Sequence, residues 1–232
     1  MIILVDHEHE TGYGKPWGEQ IMATRVRIKY RLEDMAGQPC LIIRYDLVTP
    51  ELLRDVSARA VFISGNSAAA TDYDPEAQAG LRAVIGAQAW PMFGFCGGFQ
   101  VIAETLGARL EPIGPLDPDD PAEVAETPFA PGLKHETGYF PVDITAPHPL
   151  LEGLGDAPVM RHAHAWEIKD VPVGFSNYSS TPTTPIQLIV HDELPIVGTQ
   201  FHPEYSTDEH PAGARLIENF MSWSGTNSSH QS

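Results

Sequence analysis

Cysteine is scarce: Cys40 and Cys96 are the only two in 232 residues. One disulfide is arithmetically possible, but two lone cysteines in a chain this long make no disulfide framework. Basic residues are also few. Against 31 Asp and Glu stand 14 Lys and Arg, giving a formal charge of −17, and no run of Lys or Arg interrupts the acidic field. Such a field repels phosphate backbones, so nucleic acid is not expected as a partner. No segment approaches the roughly 18 apolar residues of a membrane span, and nothing near Met1 has the basic start and apolar run of a secretory leader. A cytoplasmic protein with no membrane partner is expected. Internal repeats are lacking too. What is present is a hydrophobic fraction of 42%, enough for a sizeable core and too high for a disordered body. One α/β domain over 1–223, followed by a disordered tail over 224–232, is the simplest organisation.

The apolar pattern alternates between two periods. Ile2-Ile3-Leu4-Val5 is a continuous apolar run, the mark of a strand buried on both faces. Over 18–36, Ile21, Ile28, Leu32 and Met35 recur at helical spacing, Met22 and Val26 widen the stripe, and Gly37 can end the helix. Strands are expected at 40–45, 60–64 and 92–95, with helices at 50–56, from Pro75 to about residue 85, and at 100–106. This alternation predicts a mostly parallel central sheet flanked by helices. Residues 111–135 are rich in Pro, Asp and Glu and read as a surface excursion. Beyond them, strands at 140–144, 158–160, 174–178, 186–191 and 196–201 follow one another without helices, so antiparallel additions are expected in the C-terminal half. An amphipathic helix over 211–223 closes the chain.

The two cysteines sit in different settings. Cys40 precedes an apolar run and reads as a small buried core residue. Cys96 lies in Gly94-Phe95-Cys96-Gly97-Gly98-Phe99-Gln100, between an apolar strand and a helix. Gly-x-Cys-x-Gly is the cysteine counterpart of the nucleophile elbow. The tight turn lifts its central side chain above the carboxyl edge of the sheet, and flanking glycines relieve the strain and the close backbone approach. The helix that follows aims free N–H groups at the sulfur, which favours a thiolate, and the Gly97 N–H is a natural oxyanion donor. An inert cysteine in a glycine-rich turn is the alternative. A phosphate cradle is disfavoured because no Lys-Ser/Thr follows.

A thiolate nucleophile works best with a partner that holds and returns a proton. Among ten histidines, His202 has the most specific setting: Gly198-Thr199-Gln200-Phe201-His202-Pro203-Glu204 ends an apolar strand near the same edge. Pro203 biases His202 toward extended backbone, in which residues i and i+2 face one side. Glu204 can then orient the His202 ring toward Cys96, the logic of a Cys-His-Glu triad. Taken alone, a His-Pro-Glu at a strand end is more often a surface turn.

Together these segments resemble the class I (triad) glutamine amidotransferases, whose hallmark is Gly-x-Cys-x-Gly-x-Gln followed roughly a hundred residues later by a Phe-His-Pro-Glu-like segment. The resemblance covers most of the chain. Phe62-Ile63-Ser64-Gly65-Asn66 matches the family's oxyanion strand and loop. Glu136-Thr137-Gly138-Tyr139-Phe140-Pro141-Val142 and His162-Ala163-His164-Ala165-Trp166-Glu167 resemble segments of members related to the amidotransferase part of GMP synthetase. It implies a flavodoxin-like class I amidotransferase fold, with Cys96, His202 and Glu204 as nucleophile, base and orienter. It further implies oxyanion donors at Asn66 and Gly97, and substrate contacts at Gly65, Gln100 and His164. Three positions depart from the pattern: Asn66 where a second glycine is usual, Ala163 where many members have Ser, and Phe99 where His is frequent. The implied reaction is hydrolysis of glutamine through a γ-glutamyl thioester, with ammonia passed to a synthetase on another chain.

Two alternatives stay open: a γ-glutamyl amide or peptide hydrolase using the same triad, and a non-catalytic regulator on the same fold. His7-Glu8-His9-Glu10 and His162-x-His164 could suggest metal, but two histidines alone rarely hold one. No metal or other cofactor is expected.

Overall fold

The computed structural model describes residues 1–116 and 132–227. Most of the excursion expected over 111–135, and the last residues of the expected tail, lie outside the described residues. The front of that tail is held in place instead: Thr226 is buried, and its carbonyl accepts from Gln38 Nε2 at 2.7 Å.

The centre is an eight-stranded sheet of order β2-β1-β3-β4-β12-β11-β10-β7. Strands β1 (Ile2–Asp6), β2 (Cys40–Arg44), β3 (Ala60–Ile63), β4 (Met92–Phe95) and β12 (Ile196–Thr199) pair in parallel. Strands β11 (Leu188–His191), β10 (Phe175–Ser180) and β7 (Asp143–Ile144) add on antiparallel. The alternation of the parallel half arises because each strand is apolar on both faces. Along β1, Ile2 and Leu4 belong to one core cluster and Ile3 and Val5 to the other, as period two requires.

Helix α1 (Glu10–Tyr13) is a single turn leading into α2 (Gly18–Ala36). One layer over the sheet contains α2 and α6 (Ala212–Trp223); the other contains α3 (Pro50–Asp55), α4 (Ala79–Ala87) and α5 (Gly97–Thr105). Among the described residues, no helix is long and apolar enough to cross a membrane.

Three expectations need correction. Met22 and Val26 do not face the core; they are 50% and 43% exposed, and the buried face of α2 carries Thr24, Arg25, Ile28 and Leu32. A charged residue wins that face because its guanidinium is paired there with Asp6 and the Gly65 carbonyl. The antiparallel half does not extend one sheet alone: β6 (Glu136–Pro141) pairs with β8 (Val159–His164), and β5 (Leu110–Pro112) with β9 (Trp166–Ile168), as separate two-stranded ribbons. Strand β12 stops at Thr199, short of the expected 201.

Candidate active site

The turn from β4 to α5 places Cys96 at φ 47° and ψ −104°, a region that costs a residue with a Cβ about 1–3 kcal/mol. Close packing holds it there. The Cys96 N–H donates to the Thr199 carbonyl at 2.7 Å, and the Cys96 carbonyl accepts from the Gln100 N–H at 2.9 Å. A Cβ on Gly94 would lie 2.5 Å from the Gly98 carbonyl oxygen, and one on Gly98 would lie 2.2 Å from that of Ile63. Strand and helix can therefore approach this closely only through glycines. Cys96 is a free thiol, 4% exposed, with Gln200 Nε2 at 3.5 Å and the Ala163 carbonyl at 3.8 Å from its sulfur. Cys40 is different: burial pushes its thiol up to about 12, the condition of an inert core cysteine.

His202 and Glu204 meet, with Nδ1 2.7 Å from Oε1. The local backbone is not the extended run expected. His202 sits at φ −106° and ψ 85°, and Pro203–Tyr205 form a 3-10 turn that swings Glu204 back under the ring. The His202 N–H donates to the Arg161 carbonyl at 2.8 Å, pinning this turn to β8. Arg31 of α2 donates to the carbonyls of Glu204 and Ser206 at 2.9 and 3.0 Å. Burial opposes a charged imidazole, but the negative charges of Glu204 and of the neighbouring Cys96 sulfur outweigh it and raise His202 to about 10.

The loop after β3 closes over the sulfur. Arg25 lies between Asp6, at 2.7 Å, and the Gly65 carbonyl, also at 2.7 Å. Glu8 accepts from the Ser67 N–H at 2.8 Å, and Lys15 donates to the Ser67 carbonyl at 3.0 Å. Residues 65–67 are thus gripped from three sides. A Cβ on Gly65 would come within 2.8 Å of His202 Cε1, so this glycine makes room for the imidazole. The Asn66 side-chain oxygen lies 1.7 Å from where a Gly97 Cβ would stand, so its carboxamide packs over the first residue of α5. Asn66 has no left-handed backbone, and the tolerance of Asn for that region has no part in its presence here.

A cavity of about 450 Å³ opens on Cys96, lined also by Gly97, Gln100, Asn66, His164 and Trp166. A second, of about 250 Å³, lies on the His202 side and includes Gly65 and Arg25. Gln100 faces the first cavity, its amide donating to the Trp166 carbonyl and to Gln200 Oε1 at 3.0 and 3.1 Å. His164 lines it too, but both ring nitrogens are taken, Nε2 by Glu136 at 2.8 Å and Nδ1 by the Trp166 carbonyl at 3.1 Å. Gly65 does not line this first cavity. Burial opposes ionisation of Glu136, yet its contacts with His162, His164 and Thr181 hold the carboxyl well below the usual range. Sequence reasoning does not single out Arg25, Gln200 or Glu136 as parts of a site. A buried Arg on a helix face, read against Asp6, would be the only available signal.

A parallel sheet with a cysteine elbow at its carboxyl edge and a His-Glu pair beside it defines a class of protein. The model of the glutamine amidotransferase class-I family matches residues 30–223, and the chain belongs to that family. Its fold is that of the family: it is similar to a putative GMP synthase subunit protein from Thermoplasma acidophilum, with a TM-score of 0.68, 21% identity, and 97% of this chain and 95% of that one covered. Among curated proteins it is similar to a GMP synthase (glutamine-hydrolysing) of Alcanivorax borkumensis, 29% identical over 215 residues, 87% of this chain and 34% of that one. It is also similar to a GMP synthase (glutamine-hydrolysing) subunit of Thermococcus kodakarensis, 29% identical over 135 residues, 58% of this chain and 61% of that one. The chain spans about a third of the length of the Alcanivorax relative.

Proposed function

We propose that this chain hydrolyses the side-chain amide of glutamine with a Cys96-His202-Glu204 triad and passes the ammonia to a synthetase on another chain. The observation that carries the reading is the His202 Nδ1 to Glu204 Oε1 contact of 2.7 Å at the edge of the sheet where Cys96 stands; a Cβ on Gly65 would lie 2.8 Å from His202 Cε1 and 3.5 Å from Cys96 Cβ, so ring and nucleophile flank the same glycine. Glu204 fixes the ring and favours its protonated form. Cys96 attacks the amide carbon, forming a C–S bond and a tetrahedral oxyanion. The Asn66 and Gly97 backbone N–H groups stabilise that oxyanion, a contribution of about 3 kcal/mol per donor in comparable sites. His202 donates its proton to the departing nitrogen as the C–N bond breaks. Water, deprotonated by His202, then hydrolyses the γ-glutamyl thioester and releases glutamate.

The acceptor reading rests on the relatives. The Thermococcus protein, named as one subunit of a GMP synthase, is similar to this chain, which supports a synthetase of that type on a separate polypeptide. Ammonia release from glutamine is expected from the purified chain, alone or with such a partner, and is expected to be lost in Cys96→Ala with circular dichroism unchanged. Undiminished release from Cys96→Ala removes the proposal.

One observation favours a second reading, hydrolysis of a bulkier γ-glutamyl amide. The cavity on Cys96 is about 450 Å³, within the roughly 300–1,000 Å³ that suits ligands of drug size. A kcat/KM for γ-glutamyl anilide well above that for glutamine, with no partner present, selects this reading.

A further inference from the structure

In the sequence, His162-x-His164 offers two ligands, too few for a metal site. The fold supplies a third. In the antiparallel register of β6 with β8, Glu136 stands opposite His164 and Gly138 opposite His162. His162 and His164, two residues apart, share a face of β8, and Glu136 joins them on that face. Glu136 Oε2 is 2.8 Å from His164 Nε2 and 3.5 Å from His162 Nδ1. The three donor atoms all lie within 4.8 Å of one another. A tetrahedral zinc site with bonds of about 2.0–2.1 Å spaces its donors about 3.3 Å apart, a value that the two measured separations bracket.

The state of His162 is an independent observation. It is 0% exposed, and neither ring nitrogen has a hydrogen-bond partner among the described residues. The Glu136 oxygen at 3.5 Å is near Nδ1 without the geometry of a hydrogen bond. Phe140 stacks on the ring at 3.8 Å and fixes its plane. A buried imidazole left this way is costly unless something occupies its lone pair. The surroundings match what ligands to a metal need. His164 turns its other nitrogen to the Trp166 carbonyl, and Thr181 Oγ1 donates to the second Glu136 oxygen; ligating imidazoles and carboxylates are held in this manner. Gln187 reaches Glu136 Oε2, the oxygen that faces the histidines, at 2.6 Å with its amide nitrogen, and its buried amide oxygen has no hydrogen-bond partner among the described residues.

We propose that Glu136, His162 and His164 form a three-ligand site for a zinc-class divalent ion in the wall of the active-site cavity. Two imidazoles and one carboxylate suit zinc or cobalt better than magnesium or calcium, which prefer oxygen alone. His164 lines the cavity and gives the ion a way in. Ala163, between the two histidines, turns its carbonyl toward the Cys96 sulfur. The ion pins the strand that backs the nucleophile and takes no part in bond making.

The test uses the full chain as wild type and as Cys96→Ala, because a free active-site thiol binds zinc itself. Both are stripped with a chelator, loaded with Zn²⁺ or Co²⁺, gel-filtered, and assayed for metal by mass spectrometry. About one ion per chain is expected in each. The cobalt form is expected to show the intense visible absorption of a tetrahedral site without a near-ultraviolet thiolate band. His162→Phe and Glu136→Gln are expected to retain less than about a tenth of an ion. Loss of the ion in Cys96→Ala, a thiolate band, or an unchanged metal content in a folded His162→Phe each overturns the site. Should His162→Phe fail to fold, the cobalt spectrum of Cys96→Ala decides alone: no tetrahedral absorption means no site, and the Glu136–His164 contact is then a plain buried hydrogen bond.

Discussion

His202 has two charged neighbours and almost no water, and its behaviour with pH follows from that. Its folded-state pKa is raised above the ordinary value of 6.5 to about 10. The stabilisation from the charged ring is therefore complete below about pH 6.5 and disappears as pH rises through about 10. Glu204→Gln keeps the size of the orienter and removes its charge. We expect the urea midpoint of the wild type to fall between pH 7 and 10 more than that of Glu204→Gln, the two curves converging at the alkaline end. The proposed glutaminase activity should drop about 10²–10⁴-fold in the variant, as for loss of a proton-transfer partner; an unchanged kcat in a folded Glu204→Gln would show that the carboxylate orients nothing. At this scale, local sequence is informative where the constraint is local. Gly94-x-Cys96-x-Gly98 announces its turn because the crowding involves near neighbours and Ile63 alone. The His202–Glu204 contact is legible too, but through the wrong backbone, since a proline can start a 3-10 turn as readily as it extends a chain.

Helix α2 holds the site from two directions. Arg25 grips the Gly65 carbonyl on one side of Cys96, and Arg31, six positions on, grips the Glu204 carbonyl on the other. Arg25→Met removes the grip on the loop that carries the Asn66 N–H. A fall of about 10–100-fold in kcat with little change in KM is expected, since a loosened donor weakens the oxyanion more than the bound substrate. The variant leaves the Asp6 carboxylate without its buried cation, keeping the Tyr13 hydroxyl and the Glu8 N–H as donors, and should also lose up to about 3–5 kcal/mol of stability. Steady-state assays well below its melting temperature separate the two effects, and an unaltered kcat there would reduce the Arg25 contact to a structural one. The periodicity of α2 is plain in the sequence, but which face turns inward is not. Met22 and Val26 outrank Arg25 in hydropathy, and only the distant Asp6 and Gly65 carbonyl reverse the order. The ribbons β5–β9 and β6–β8 are hidden for a similar reason, as Leu110 pairs with Ile168 and Glu136 with His164, far along the chain.

The whole molecule depends on one sheet being covered on both sides. Phe220 of α6 stacks edge-on to Phe62 at 5.6 Å and lies 5.1 Å from Phe93, both on strands that end at the site. All three are fully buried. Phe220→Ala is expected to cost about 3–5 kcal/mol in urea unfolding, and a loss below about 1 kcal/mol would mean that α6 is not an essential cover. Continuous apolar strands separated by helical stripes make this architecture legible from the sequence. The extent of α6, Ala212–Trp223 against the expected 211–223, is legible too; its contact with the turn after His202, where a Cβ on Gly213 would lie 2.3 Å from the Pro203 carbonyl oxygen, needs the fold.

The contact between Asn66 and Gly97 also bears on how this sequence can drift. Asparagine fits at 66 because the space its amide fills belongs to a side chain that 97 does not have. The permission runs one way. Smaller residues can replace Asn66 without disturbing its neighbour, whereas a Cβ at 97 would still stand 3.1 Å from the backbone nitrogen of residue 66 whatever that residue is. In a library randomised at both positions, survivors should therefore vary at 66 and be monotonous at 97.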